Sequence, residues 1–104
     1  ETMWDRARAI EPGNNMLNTY DAALYEYYFQ KGLKAGADRE LAVSIAALEK
    51  AVHYGPTKAD AWYNLGGACF TLGDTARARA SWEHTLRLDP RNVGAQQGLA
   101  ALGR

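Results

Sequence analysis

Cys69, His53 and His84 are the side chains best able to do covalent or metal chemistry in this chain. A cysteine beside a histidine can act as an activated nucleophile, and the two together can hold a soft metal ion. The spacing spells neither arrangement. No C-x2-C or H-x3-H pair occurs, so no metal site is expected. Cys69 reads as an interhelical packing residue, since a free cysteine is commonly buried. His53 falls near a helix C-terminus, where an imidazolium interacts well with the helix dipole. His84 follows Trp82 on a helix whose outer face is solvated, and both histidines read as structural or surface residues. Gly66-Gly67 is not the G-x-x-x-x-G-K-[ST] phosphate loop; it lies inside a helix and reads as a packing device. No catalytic group and no cofactor site is expected, and the reading is non-enzymatic. The chemistry that remains is recognition, and its most conspicuous source is the aromatic run Tyr20, Tyr25, Tyr27, Tyr28 and Phe29.

The elements that must position such residues are announced by a repeat. Trp62, Leu65 and Gly66 stand at the spacing W-x2-L-G. Ala78 and Trp82 stand at A-x3-aromatic, and Pro90 closes the unit. Tyr28, Gly32, Ser44, Leu48, Ala51 and Pro56 stand 34 residues before Trp62, Gly66, Ala78, Trp82, Thr85 and Pro90. Small residues let two helices approach, and large ones fill the space beside them. This pattern resembles the tetratricopeptide repeat family, whose helix–turn–helix unit is about 34 residues long. The first unit departs from it at Lys31, where the second has Leu65, and Ala35 and Cys69 stand where the family often has tyrosine. The resemblance implies an all-α, right-handed superhelical stack of antiparallel helix pairs, a solenoid whose work is binding other proteins.

Aligning Trp4, Ala7, Ile10, Glu11, Pro12 and Asn14 with Trp82, Thr85, Leu88, Asp89, Pro90 and Asn92 makes residues 1–14 the tail of a truncated repeat. The chain is then expected to be a piece of something longer. Residues 15–58 form a repeat with an extended first helix, 59–92 the well-matched repeat, and 93–104 a capping helix, all in one domain. The extended helix is expected from about Asn15 to Ala35, with Asn14 or Asn15 as N-cap; a short separate helix and a loop is the alternative. Asp38 is expected to cap a helix over 39–53, with Leu41, Ile45, Leu48 and Val52 facing inward. Helices over 58–72 and 75–88 follow, the second capped by Asp74. Asn92 caps the last helix, which Gly94 and Gly98 are expected to fray.

Consecutive aromatics cannot share one helix face. Tyr20, Leu24 and Tyr28 are placed inside and Tyr27 against a neighbouring repeat, while Phe29 is left open between packing and binding. In the family the first helix of each repeat lines the concave face. By that resemblance the groove draws on Glu26, Phe29, Gln30 and Leu33, then Asp60, Tyr63, Asn64, Gly67 and Phe70, then Gln97 and Ala101. Such a face suits a peptide or helix offering apolar side chains and backbone groups. The family's carboxylate clamp, which binds chaperone C-termini, is matched only by Asn64. Phe29, Leu33, Gly94 and Gly98 hold its other slots, and two apolar groups and two glycines cannot hold a carboxylate.

Lys plus Arg and Asp plus Glu both total 12, for zero formal net charge, so no basic excess points to nucleic acid. No run of about 18 apolar residues is present, so no membrane insertion by this segment is expected. A single cysteine excludes an internal disulfide and leaves the compartment open between cytoplasm and periplasm. The expected partner is another protein or peptide. The alternative is a structural length of solenoid that self-associates through its truncated ends or regulates another domain.

Overall fold

The computed structural model describes residues 12–103. They form α1 (Pro12–Ala37), α2 (Leu41–Tyr54), α3 (Ala59–Leu72), α4 (Thr75–Leu88) and α5 (Val93–Leu102). Each helix packs chiefly on the next, so α1–α2 and α3–α4 are antiparallel pairs joined by short turns. Slighter contacts join α1 to α3 and α3 to α5. The first helices therefore share one side of an all-α stack, with α2 and α4 on the other. Among the described residues no helix is long and apolar enough to cross a membrane.

α1 is a single 26-residue helix, against 14 residues in each of the next three. It starts at Pro12, earlier than the sequence predicts, so neither Asn14 nor Asn15 is its N-cap and Pro12–Asn14 are not an exit turn. A proline fits either place, because its fixed φ and missing N–H also suit the first turn of a helix. The rest of the assignment of residues 1–14 to a truncated repeat falls outside the described residues.

α1 also runs on to Ala37, which removes Asp38 from the capping position it was expected to hold. The chain leaves through Arg39, the one non-glycine residue at positive φ (65°) among those described. Glu40 then precedes α2 without a side-chain cap, while the Asp38 carboxylate takes Lys34 at 3.3 Å. The second turn follows the expected chemistry. Gly73 adopts the left-handed conformation (φ 100°), and its N–H reaches the carbonyls of Cys69 and Phe70. Asp74 accepts the Arg77 N–H at 3.1 Å, and Asn92 accepts the Ala95 N–H at 2.8 Å.

The core runs between the two sides of the stack and includes Ile45, Leu48, Ala51, Leu65, Cys69 and Trp82. Its geometry is large against small. A Cβ on Gly32 would meet Leu48 Cγ at 2.6 Å, and one on Gly66 would meet Trp82 Cδ1 at 2.5 Å. Trp82 is held on its far edge too, since a Cβ on Gly98 would lie 2.5 Å from Cζ3. One indole of α4 thus locks α3 and α5 together, and its N–H donates to the Tyr63 carbonyl at 3.1 Å. Gly94 has a parallel role beneath the Tyr63 ring. The glycines of α5 are seats for aromatics, and close docking is their reason, rather than looseness of the helix.

Candidate functional site

The side that the first helices share carries a groove of about 420 Å³ between α1 and α3, floored by α2. Gly32, Leu33 and Gly36 form one wall, and Tyr63, Asn64, Gly67 and Thr71 the other. Ser44 and Leu48 lie at its base, and Arg39 stands at the end where α1 gives way to α2. Ser44 Oγ donates to the Gly32 carbonyl at 2.8 Å, which closes the polar requirement of the floor. The lining thus mixes apolar surface with one amide, one phenol, one guanidinium and the hydroxyls of Ser44 and Thr71, the latter donating to the Gly67 carbonyl at 2.9 Å.

Three of the eight residues singled out in the sequence meet here: Leu33, Tyr63 and Asn64. Leu33 is exposed. Asn64 Nδ2 donates to the Asp60 carbonyl one turn back at 2.7 Å, which orients the amide and leaves its oxygen open. Tyr63 is shared between the groove and the α5 contact at Gly94. The other five stand elsewhere. Phe29 is half-buried and stacks on Tyr25, centroids 5.4 Å apart. Gln30 is exposed and donates to Glu26 at 2.8 Å. Asp60 is exposed near Tyr25, whose hydroxyl pKa is raised by burial and then by the Asp60 and Glu26 charges. Phe70 is exposed beside Trp82, centroids 5.7 Å apart, and Gln97 is exposed on α5.

Gly67 is a groove residue of a particular kind. Nothing lies within 4 Å of where its Cβ would be, whereas its neighbour Gly66 is filled by Trp82. The packing explanation read from the pair holds for Gly66 and fails for Gly67.

Tyr25, rather than Tyr28, is the most buried of the described aromatics in the run, and a Cβ on Gly55 would meet its ring at 2.6 Å. Sequence reasoning missed it because inward and outward tyrosines look alike in an aromatic run; Gly55, just before Pro56 at the helix exit, was the available signal. Tyr28 is half-buried against Tyr54, and Tyr27 is exposed.

Cys69 is fully buried, and burial, then the Asp74 charge, raises its thiol pKa. Its protonated form is a poor nucleophile. His84 stacks on Trp62 with centroids 3.9 Å apart, and its Nδ1 accepts from Arg87 at 3.1 Å. Burial, then the Arg87 charge, lowers its pKa. Among the described residues no group of three or more His, Cys, Asp or Glu side chains is placed to hold a metal ion.

Curated relatives share this chain's pattern along most of its length. It is 33% identical over 94 residues to the Hsp70-Hsp90 organizing protein of Triticum aestivum, covering 90% of this chain and 14% of the relative. It is 31% identical over 96 residues to Protein O-mannosyl-transferase TMTC1 of Mus musculus, covering 92% and 10%. It is 34% identical over 92 residues to Tetratricopeptide repeat protein 33 of Xenopus laevis, covering 88% and 32%. The chain thus spans a third or less of each of these proteins. A family profile described as Tetratricopeptide repeat matches residues 29–93, from within α1 to the start of α5. With that match laid over helix pairs stacked as described, the chain belongs to the tetratricopeptide repeat family of protein–protein interaction modules.

Proposed function

We propose that this segment is a non-enzymatic binding module that takes a peptide or helix of another protein in the groove between α1 and α3. The observation that carries the reading is the meeting of Leu33, Tyr63, Asn64 and an unfilled Gly67 around one cavity of about 420 Å³. Leu33 and the Tyr63 ring offer apolar contact, the open Asn64 oxygen accepts a backbone N–H, and Gly67 lets the ligand approach the α3 backbone. Phe29, Gln30, Asp60, Phe70 and Gln97 extend the binding surface beyond this seat.

The wheat relative's name ties that protein to Hsp70 and Hsp90, but the groove here argues against a carboxylate clamp for this chain. The sites of Gly94 and Gly98 are filled by the Tyr63 and Trp82 rings, so no basic side chain fits there.

The test is selection from a displayed peptide library, with selected peptides measured against wild type and Asn64→Ala. Asn64→Ala is the cleaner variant, because Tyr63→Ala also removes a contact with α5. Selected peptides are expected to bind the variant roughly tenfold more weakly, the cost of one hydrogen bond in a desolvated contact. Equal binding to both proteins would overturn the groove as the recognition site.

A further inference from the structure

The groove between α1 and α3 is lined by one charged side chain, Arg39, and by no carboxylate. Asp38 and Glu40 flank Arg39 in sequence, yet neither belongs to the lining, and Asp38 is taken by Lys34 at 3.3 Å. Arg39 is exposed, and among the described residues no carboxylate pairs with it. α1 is 26 residues long, about 39 Å, and residues 1–11 join it at the end remote from Arg39.

The backbone makes this position unusual. Arg39 has φ 65°, in the left-handed region, where a Cβ crowds the following carbonyl. The repeat supplies the comparison. At an offset of 34 residues the same turn position is Gly73, at φ 100°. Glycine is the residue this geometry suits, and the second unit has it. The first unit carries an arginine there instead. Its side chain is exposed, so packing does not account for it. Backbone strain kept beside a cavity points to a use at that cavity.

The use follows from the donors. The hydroxyls of Ser44 and Thr71 donate to backbone carbonyls, and so does the Asn64 amide. An anion is therefore served at the mouth of the groove, by Arg39, and not deep inside it. A guanidinium is always charged, and its planar fork matches a carboxylate. Ala37 and Leu41, which line the groove beside it in sequence, bring no competing charge. A carboxylate held at the mouth suits a side chain of a peptide that runs on past the turn, rather than a chain terminus.

We propose that Arg39 sets the specificity of the groove: the peptide bound there carries an aspartate or glutamate side chain that pairs with the Arg39 guanidinium at the end where α1 gives way to α2. This rests on the reading of the groove as a peptide site. Charge complementarity then fixes which end of the peptide lies toward the turn and disfavours a basic residue in that place.

The experiment is parallel selection of a displayed library of random twelve-residue peptides on wild type and on Arg39→Glu, keeping the peptides that Asn64→Ala weakens. Wild type is expected to enrich Asp or Glu at one fixed position, and Arg39→Glu to enrich Lys or Arg at that position. In the wild-type peptides, replacing the enriched acid by its amide should weaken binding about fivefold, the scale of a partly solvated ion pair. The same replacement should change nothing on Arg39→Gly. That variant gives the turn the residue Gly73 already provides in the second unit, so it keeps the fold, as circular dichroism checks. Amidating the peptide C-terminus should leave affinity unchanged; loss on amidation would give the site to a chain terminus and overturn the proposal. Peptides that Asn64→Ala weakens, but that carry no enriched acid and bind wild type and Arg39→Gly equally, would overturn it while the groove stands. Recovery of no peptide that Asn64→Ala weakens would overturn the groove itself, and the role of Arg39 with it.

Discussion

At the scale of single residues, the adjacent glycines of α3 make opposite predictions. A methyl on Gly66 runs into the Trp82 ring. Overpacking of this kind costs about 1–3 kcal/mol, against a gain of about 1 kcal/mol from replacing a mid-helix glycine. Gly66→Ala should therefore lower Tm. Gly67→Ala meets open space and keeps the propensity gain, so Tm should rise by about 4–8 °C per kcal/mol gained in a domain of this size. The same methyl enters the groove, so selected peptides should bind Gly67→Ala more weakly. Thermal melts and anisotropy on both variants check this. A Gly67→Ala protein that is stabler and binds as well as wild type would remove that residue from the site. The pair also shows where sequence stops being informative. Two neighbouring glycines read alike until the partner helix is in place, and only one of them has a ring against it.

At the scale of elements, legibility followed the locality of the physics. Asp74, Gly73 and Asn92 act within one turn of themselves, so their caps could be read from spacing. The packing slots of Leu48, Ala78 and Trp82 recur at a fixed offset and could be read from the repeat. Pro12 and Asp38 could not be placed, because each fits two local positions and the length of α1 decides between them. Of the groove, Leu33, Tyr63 and Asn64 were legible through the repeat register. The turn that brings Arg39 to its end was not, since it depends on where α1 stops. α5 illustrates the same limit. Its two glycines weaken an isolated helix, and ten residues are marginal alone in any case. Docking on Trp82 and Tyr63 reverses that balance. Gly98→Ala should strengthen the free helix yet undock it, shifting tryptophan emission to the red while circular dichroism shows only a small loss of helix. Unchanged emission with a raised Tm would show that the Trp82 contact does not hold α5.

At the scale of the whole molecule, the stack is close to one-dimensional, with each helix answering mainly to its neighbours. Disturbances should therefore fade with distance along it, except where one side chain spans more than one boundary. Trp82 is such a side chain: its edges rest on α3 and α5, and its N–H is fixed to the carbonyl of Tyr63, whose ring both lines the groove and sits on Gly94. Filling the groove and seating the last helix are then two loads on a single joint. Thermodynamic reciprocity requires that what steadies one steadies the other by the same factor. A bound peptide should slow amide hydrogen exchange along α5, beyond any contact at Gln97, and Gly98→Ala should weaken peptide binding by up to the factor by which peptide binding tightens α5.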